Sequence, residues 1–372
     1  MKIAIDLRSL STGNISGVEN YILNLLDNLF GLDQKNQYIL FNNGFSKSVL
    51  GDFHYVNTTR KSSRVPSKFL NLALKFNFLK LEKLIGDFDC LFLPNLNQFN
   101  VNPKVKVILT VHDLSPVITP EFYNFKRRFW HKFLNYKKAF DRANILIAVS
   151  ENTKKDLIKL FNINPEKIKV IYPGMDQNFF QTHISEERLR MARNIYNLPG
   201  EYILFLNTIE PRKNLSGLIK AYESLPGNAH LVIVGRPGWK YQDVFNEIKQ
   251  SVKSSRIKYI GYIEEKHKPA VIKLAKVLAY PSFYEGFGFQ PLEAMSVGTP
   301  VVASQVTSIP EIVGNAGLLF NPYNINDIAS ALNTALYNEP VRRVLIQNGE
   351  QRLGQFVWKN TANQLLQILN TR

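Results

Sequence analysis

Short continuous apolar runs recur along the chain at 2–7, 38–41, 88–93, 105–111, 145–149 and 168–172, and again at 202–206, 231–234, 257–260, 277–280, 301–303 and 318–320. Longer stretches with helical spacing separate them. Unbroken apolar runs, without in-out alternation, are the pattern of strands covered by helices on both faces. Strands alternating with helices predict parallel βαβ units, so each half reads as one doubly wound α/β sheet. Such sheets bind ligands at the carboxyl ends of their strands. The residues just after each run are therefore the first candidates for chemistry.

The rhythm pauses after Pro173-Gly174, a turn signal beyond the sixth run, and a polar segment extends to about Gly200. This predicts a first domain over 1–175 and a second over 176–358. A last helical stretch within 359–372, after Phe356-Val357-Trp358, is expected to pack back on the first domain. A chain of 372 residues accommodates two cores of about 150 to 200 residues each.

Composition narrows the class. Apolar residues make up 45% and charged residues 20% of the chain, a balance suited to a globular protein and not to a disordered one. One cysteine, Cys90, and six histidines exclude a disulfide framework and a Cys/His metal cluster, and fit a reducing compartment. Met1 leads straight into the first apolar run, with no basic stretch and long apolar region after it. Nor is there a run of about 18 apolar residues free of charge. The expectation is a cytoplasmic protein without an export signal or a membrane-spanning helix. A formal net charge of +16 points to anionic partners, whether nucleic acid, anionic lipid or phosphorylated ligands. Charge alone does not choose among them.

The densest motif lies at 276–302, KVLAYPSFYEGFGFQPLEAMSVGTPVV. A strand ends at Pro281, a loop carries Glu285-Gly286-Phe287-Gly288, and Pro291 is suited to the first position of a helix that contains Glu293. Gly286 and Gly288 let the backbone approach a ligand, and a helix start offers unpaired N–H groups to an anion such as pyrophosphate. Carboxylates repel phosphate but accept hydrogen bonds from sugar hydroxyls. Together these groups describe a site for a sugar joined to a phosphate. A first-turn helix charge is the plainer account of Glu293.

This block resembles the retaining glycosyltransferases of family 4, in which two glutamates eight positions apart mark the donor site, as Glu285 and Glu293 do here. The words PSFYEGFG, PLEAM and GTPVVAS extend the match. The resemblance implies a GT-B architecture, two Rossmann-like sheets with the active site in the cleft between them. It also implies that Glu285 and the backbone after it, Gly286, Phe287, Gly288 and Phe289, hold the donor sugar, and that Glu293 holds the ribose.

A second block, LNTIEPRKN at 206–214, follows a strand and precedes a helix. Arg212 and Lys213 are suited to neutralise a diphosphate as charge collects on the leaving group. The block resembles the family's phosphate clamp as written in mannosyltransferases of polysaccharide pathways. Many members carry an arginine where Thr208 stands, a charge that Arg212 is placed to supply.

In the first half, SLSTGNISGVENY at 9–21 is a glycine-bearing loop between a strand and a helix, and its spacing matches neither a kinase phosphate loop nor a dinucleotide fingerprint. A tight turn accounts for it; the resemblance adds a place near the diphosphate and acceptor, with Gly17 as the candidate. His112 ends the run 105–111, and its position resembles the family histidine that approaches the donor sugar. Asp113 is free either to orient that ring or to meet acceptor.

Plainer readings suit the rest. Asp87-Phe88-Asp89 looks like a carboxylate pair for a metal but runs into an apolar strand, and the resemblance implies no obligatory metal. Gly235-Arg236-Pro237-Gly238 is a turn or part of a nucleotide pocket. Ser150 is suited to cap a helix over 154–161. The segment 122–140, FYNFKRRFWHKFLNYKKAF, spaces aromatics as a stripe on one helix, with Lys126, Arg127, Arg128, Lys132, Lys137 and Lys138 elsewhere. Most such stripes pack into a core, but a helix lying on anionic lipid looks similar, and 66–84 repeats the basic, apolar pattern.

The resulting expectation is a retaining hexosyltransferase with Glu285, His112, Arg212 and Lys213 in the reaction and Gly17, Gly286, Phe287, Gly288, Phe289 and Glu293 on the donor. It needs no cofactor beyond a nucleotide sugar, with GDP-mannose preferred to a UDP- or TDP-sugar. Its acceptor is a glycan or lipid-linked glycan, and it sits in the cytoplasm, with the inner face of the cell membrane as candidate partner. A basic nucleic-acid-binding protein is the non-enzyme rival, but no known binding module supports it, and nucleic acid is not an expected partner.

Overall fold

A computed structural model describes residues 1–12, 17–43, 55–176 and 184–371. Its strands follow the apolar runs and form two sheets, in which all neighbouring strands run parallel. The chain divides into two units, one of Met1–Pro116, Phe125–Gly174 and Val357–Arg372, the other of Val117–Asn124 and Met175–Phe356.

The first sheet contains β1 (Lys2–Asp6), β2 (Gln37–Asn43), β3 (Thr58–Ser63), β4 (Cys90–Leu93), β5 (Lys106–Val111), β6 (Ile145–Ala148) and β7 (Ile168–Val170), in the order β3-β2-β1-β4-β5-β6-β7. The direction of winding reverses between β1 and β4. Helix Gly17–Leu32 buries Tyr21, Ile22, Leu25, Leu26, Leu29 and Phe30, the one apolar face its spacing predicts. The last helix, Trp358–Asn370, packs against it, with the Tyr21 and Trp358 rings 5.6 Å apart. Lys106 Nζ donates to the Ile368 carbonyl at 2.8 Å, and Thr361 Oγ1 to that of Tyr172 at 2.8 Å, so this helix is fastened at both ends. Where the chain crosses between units, a Cβ at Gly174 would lie 2.2 Å from the Trp358 backbone nitrogen, so no larger residue fits.

The second sheet contains β8 (Tyr202–Leu206), β9 (His230–Val234), β10 (Ile257–Gly261), β11 (Val277–Tyr280), β12 (Val301–Ser304) and β13 (Gly317–Phe320), ordered β10-β9-β8-β11-β12-β13. Ile203, Phe205, Leu231, Ile233, Val277 and Ala279 bury one face of this sheet against Ile219, Tyr222, Leu332 and Leu336, from helices Leu215–Ser224 and Ile325–Tyr337. Winding reverses between β8 and β11. The ends of those two strands are the switch point at which such sheets bind ligands.

Three features depart from the sequence reading. β3, with the sequence TTRKSS, has no apolar run; it is an edge strand whose middle four residues are exposed. The stretch 122–140 is two helices, Phe125–Leu134 and Tyr136–Arg142, broken by Asn135 in a left-handed conformation (φ +49°). Its first residues belong to the second unit, where Phe122 stacks on Phe283 at 5.6 Å and Tyr123 on Trp239 at 5.4 Å. Finally, the aromatic stripe is uncovered at two of its six positions, Phe125 (82% exposed) and Phe129 (64%), whereas Phe122, Phe133 and Tyr136 are half-buried and Phe140 is buried.

Candidate active site

The loops after β8 and β11 are joined by a backbone hydrogen bond from the Phe283 N–H to the Arg212 carbonyl, at 2.9 Å. After β8 the chain makes a single 3-10 turn, Pro211–Lys213, and Asn214 (φ +53°) caps the next helix by accepting the Gly217 N–H at 3.2 Å. This turn aims Arg212 and Lys213 inward at the loop carrying Glu285. Lys213 Nζ meets Glu285 Oε1 at 2.6 Å, and Arg212 Nη1 meets Glu285 Oε2 at 3.0 Å. Arg212 also donates from Nη1 to the Tyr284 carbonyl at 2.6 Å, and from Nη2 and Nε to Glu210 Oε1 at 2.9 and 3.2 Å.

Two cations and two carboxylates thus form one cluster of zero formal charge. Glu285, Lys213 and Glu210 are each less than a tenth exposed. Burial pushes the Glu285 carboxyl up, but the Lys213 and Arg212 charges outweigh it and hold the group at about 2, so Glu285 is ionised at neutral pH. Lys213 responds differently: burial, and then the charge of Arg212, pull its ammonium below the ordinary lysine range despite both carboxylates. Burial and the adjacent Glu285 charge push the Tyr280 hydroxyl well up, so that it stays protonated. Sequence alone did not mark Glu210, which reads as one more polar residue in a loop.

The Glu285 loop is tightly held. The Glu285 N–H donates to Thr307 Oγ1 at 3.1 Å, and Ser308 Oγ donates to the Glu285 and Phe287 carbonyls at 2.9 and 2.7 Å. Phe287 is buried, with its ring 5.0 Å from Phe289 and 5.7 Å from Phe356. Gly288 has φ +120°, a conformation that favours glycine. The helix that follows begins at Phe289, two residues before the expected Pro291, and runs to Ser296. A first-turn N–H has no intrahelical partner, so proline is tolerated there without being first.

That shift moves Glu293 out of the first turn and rules out the plain helix-charge account. Glu293 Oε1 is instead held by Lys268 Nζ at 2.5 Å, while its buried Oε2 has no hydrogen-bond partner among the described residues. Burial acts to lower the Lys268 ammonium, but the Glu293 and Glu265 charges raise it above the ordinary range. Lys268 was not legible in the sequence, because EEKHK reads as a solvated charge cluster. Thr208, at the place of the family arginine, is exposed.

In the first unit, His112 follows β5 and its Nε2 lies 2.8 Å from the Pro94 carbonyl, which follows β4. A carbonyl only accepts, so Nε2 carries the proton and Nδ1 is the acceptor. The ring meets Tyr21 edge-on at 4.7 Å, and burial lowers its pKa, favouring the neutral form. Asp113 Oδ1 accepts from the Ser115 N–H and hydroxyl at 3.3 and 3.0 Å, while the Pro94 carbonyl holds the histidine ring. Gly17 is the exposed first residue of its helix; residues 13–16 of the preceding loop, including Gly13, lie outside the described residues. At the end of β1, Arg8 forks onto buried Asp6, with Nε 2.9 Å from Oδ1, and also donates to the Gln98 carbonyl at 2.6 Å.

The secondary candidates take structural roles. Asp89 Oδ2 accepts the Lys2 N–H at 2.8 Å at the strand entry, and no group of three or more metal-binding side chains occurs among the described residues. Gly235 (φ +144°) passes so close to Asn207 that a Cβ would sit 1.8 Å from its carbonyl oxygen. The 235–238 segment is therefore a tight turn paired alongside the loop after β8. Ser150 caps its helix by accepting the Thr153 N–H at 3.0 Å.

Comparison with known proteins bears on this arrangement. Residues 190–352 match the model of "Glycosyl transferases group 1", and residues 15–179 that of "Glycosyltransferase Family 4". The O-antigen chain mannosyltransferase B of Escherichia coli is 32% identical over 70% of this chain and 69% of its own. The serotype-specific mannosyltransferase WbdA of Escherichia coli is 31% identical over 70% of this chain but 33% of its own length, so the chain spans about a third of that relative. Among solved structures, HepE of Anabaena in complex with UDP and glucose superposes with a TM-score of 0.73 at 21% identity, covering 99% of both chains. The two doubly wound sheets have the GT-B fold.

Proposed function

Since the chain belongs to the family 4 glycosyltransferases of group 1, we propose that it transfers mannose from GDP-mannose, with retention, to a glycan or lipid-linked glycan acceptor in cell-surface polysaccharide synthesis. The observation that carries the proposal is the buried Glu210, Arg212, Lys213 and Glu285 cluster at the β8/β11 switch point. The names of the two relatives, an O-antigen chain mannosyltransferase and a serotype-specific mannosyltransferase, support the sugar and the pathway.

The charges suggest how the site works. The resting cluster is neutral, so an arriving diphosphate competes with Glu285 for Lys213 Nζ and releases a carboxylate oxygen to accept from a sugar hydroxyl. As the bond from the anomeric carbon to the diphosphate breaks, its electron pair remains on the phosphate oxygen, where Lys213, Arg212 and the first N–H groups of helix Phe289–Ser296 stabilise it. Glu293 Oε2 accepts from the ribose. The departing phosphate takes the acceptor proton on the same face, so no side chain is assigned as nucleophile or base. The chain's own cations meet the leaving charge, and no obligatory metal is proposed.

A panel of GDP, UDP, TDP and ADP in thermal unfolding tests the donor. A nucleotide at about a hundred times its Kd adds about 2.7 kcal/mol to stability, so GDP should give the largest rise in Tm. A rise with UDP or TDP and none with GDP would replace GDP-mannose by one of the rival donors.

Among the described residues no helix is long and apolar enough to cross a membrane. We propose instead that the first unit rests on an anionic bilayer on the cytoplasmic side. Helix Ser67–Lys75 turns Phe69 and Leu72 outward and buries Leu70 and Leu74, and Lys75 Nζ joins it to helix Phe125–Leu134 through the Phe133 carbonyl at 2.9 Å. Residues 66–80 and 122–134 carry Lys68, Lys75, Lys80, Lys126, Arg127, Arg128 and Lys132 and no carboxylate. Exposed aromatics with cations and no acid suit a lipid headgroup layer.

A further inference from the structure

Of the seven non-glycine residues with positive φ among the described residues, five are asparagine, one is Lys240 and the last is Thr307. Asparagine tolerates a left-handed backbone, whereas a β-branched side chain is crowded there. Thr307 (φ +57°) nevertheless occupies the turn between β12 and helix Ile309–Val313, where glycine would be the unstrained choice. Glycine would lack one thing the turn supplies. Thr307 Oγ1 accepts the Glu285 N–H at 3.1 Å, and the next residue, Ser308, fully buried, binds the Glu285 and Phe287 carbonyls. Both backbone polar groups of Glu285 are therefore held from this one turn.

We infer that Thr307 is a positioning residue whose hydroxyl, kept in a strained turn, fixes the Glu285 backbone and so sets its carboxylate against Lys213 Nζ and Arg212 Nη1. The strain persists because the side chain has a function that an unstrained glycine cannot perform. Thr307 acts through the Glu285 backbone, the group its hydroxyl meets. The inference rests on the proposal that Glu285 holds the donor sugar.

The test combines steady-state kinetics with thermal unfolding for Thr307→Gly, Thr307→Ser and Thr307→Val, with Glu285→Gln in parallel. Thr307→Gly removes both strain and hydroxyl: Tm should hold or rise, while kcat falls by about ten- to a hundredfold, the cost of a slightly misplaced reacting group, and donor KM changes little. Thr307→Ser keeps Oγ and should recover most of kcat. Thr307→Val keeps the shape and should lose kcat like the glycine variant; if it fails to fold, the glycine and serine variants still decide. Full kcat in Thr307→Gly, or failure of serine to rescue, overturns the inference. If Glu285→Gln itself turns over normally, the role of Glu285 falls and this inference with it. An inactive Glu285→Gln beside a fully active Thr307→Gly would sink the positioning role alone.

Discussion

Removing the charge of Lys213 while keeping its stem, as in Lys213→Met, probes the clamp most sharply. The ammonium lies 2.6 Å from Glu285 Oε1, and both side chains are less than a tenth exposed, so water is poorly placed to replace the contact. If Lys213 meets charge that grows on the diphosphate, its loss costs the transition state about 2 to 4 kcal/mol, or roughly thirty- to a thousandfold in kcat, with a smaller change in donor affinity. Arg212→Ala should be milder in the reaction, since that guanidinium divides its donors among Glu210, Glu285 and the Tyr284 carbonyl. Stability carries a second signature. Glu285 is depressed from an ordinary 4.5 to about 2, which corresponds to about 3 kcal/mol of stability. For a depressed carboxyl, that stability is present above the ordinary pKa and lost as pH falls from 4.5 towards 2. Without Lys213, the first of the charges that oppose burial is gone, the carboxyl rises, and the acid-unfolding transition should move to higher pH. Donor-dependent turnover and acid unfolding followed by circular dichroism measure the two effects. A folded Lys213→Met enzyme with near-normal kcat and an unmoved acid transition would refute both the clamp and the charge argument.

Three other outcomes follow from the same geometry. Glu293→Gln should raise donor KM by about tenfold while leaving kcat close to wild type, because it weakens a ground-state contact to ribose; an unchanged KM rejects that role. Transfer should persist in excess chelator, whereas complete loss restored by magnesium or manganese would bring a metal back into the reaction. Phe125→Ser with Phe129→Ser should abolish co-sedimentation with phosphatidylglycerol vesicles and leave turnover on a soluble acceptor intact, and undiminished vesicle binding would remove this surface from consideration.

Most of the fold is legible because its strands are buried on both faces and so appear as unbroken apolar runs. β3 escapes that signal: an edge strand with four exposed residues needs no apolar side chains, and TTRKSS resembles a loop. The break at Asn135 is a single left-handed residue inside an otherwise helical pattern, and periodicity does not register it. In the site, Glu285 and Lys213 are individually visible because glycine, proline and strand ends surround them. Their direct pairing across 72 residues is not, since it arises from strand order alone. Glu210, Lys268 and Thr307 stayed hidden for a related reason: in sequence they are common polar residues, and only burial and partners distinguish them from surface.

The most direct measurement incubates the purified chain with GDP-mannose and a lipid-linked glycan acceptor, follows GDP release, and reads the anomeric configuration of the new linkage by NMR. The account predicts GDP release that depends on acceptor, a product with the configuration of the donor, and loss of both in a folded Glu285→Gln variant. Release from a UDP-sugar alone, an inverted product, or undiminished transfer by Glu285→Gln would contradict it.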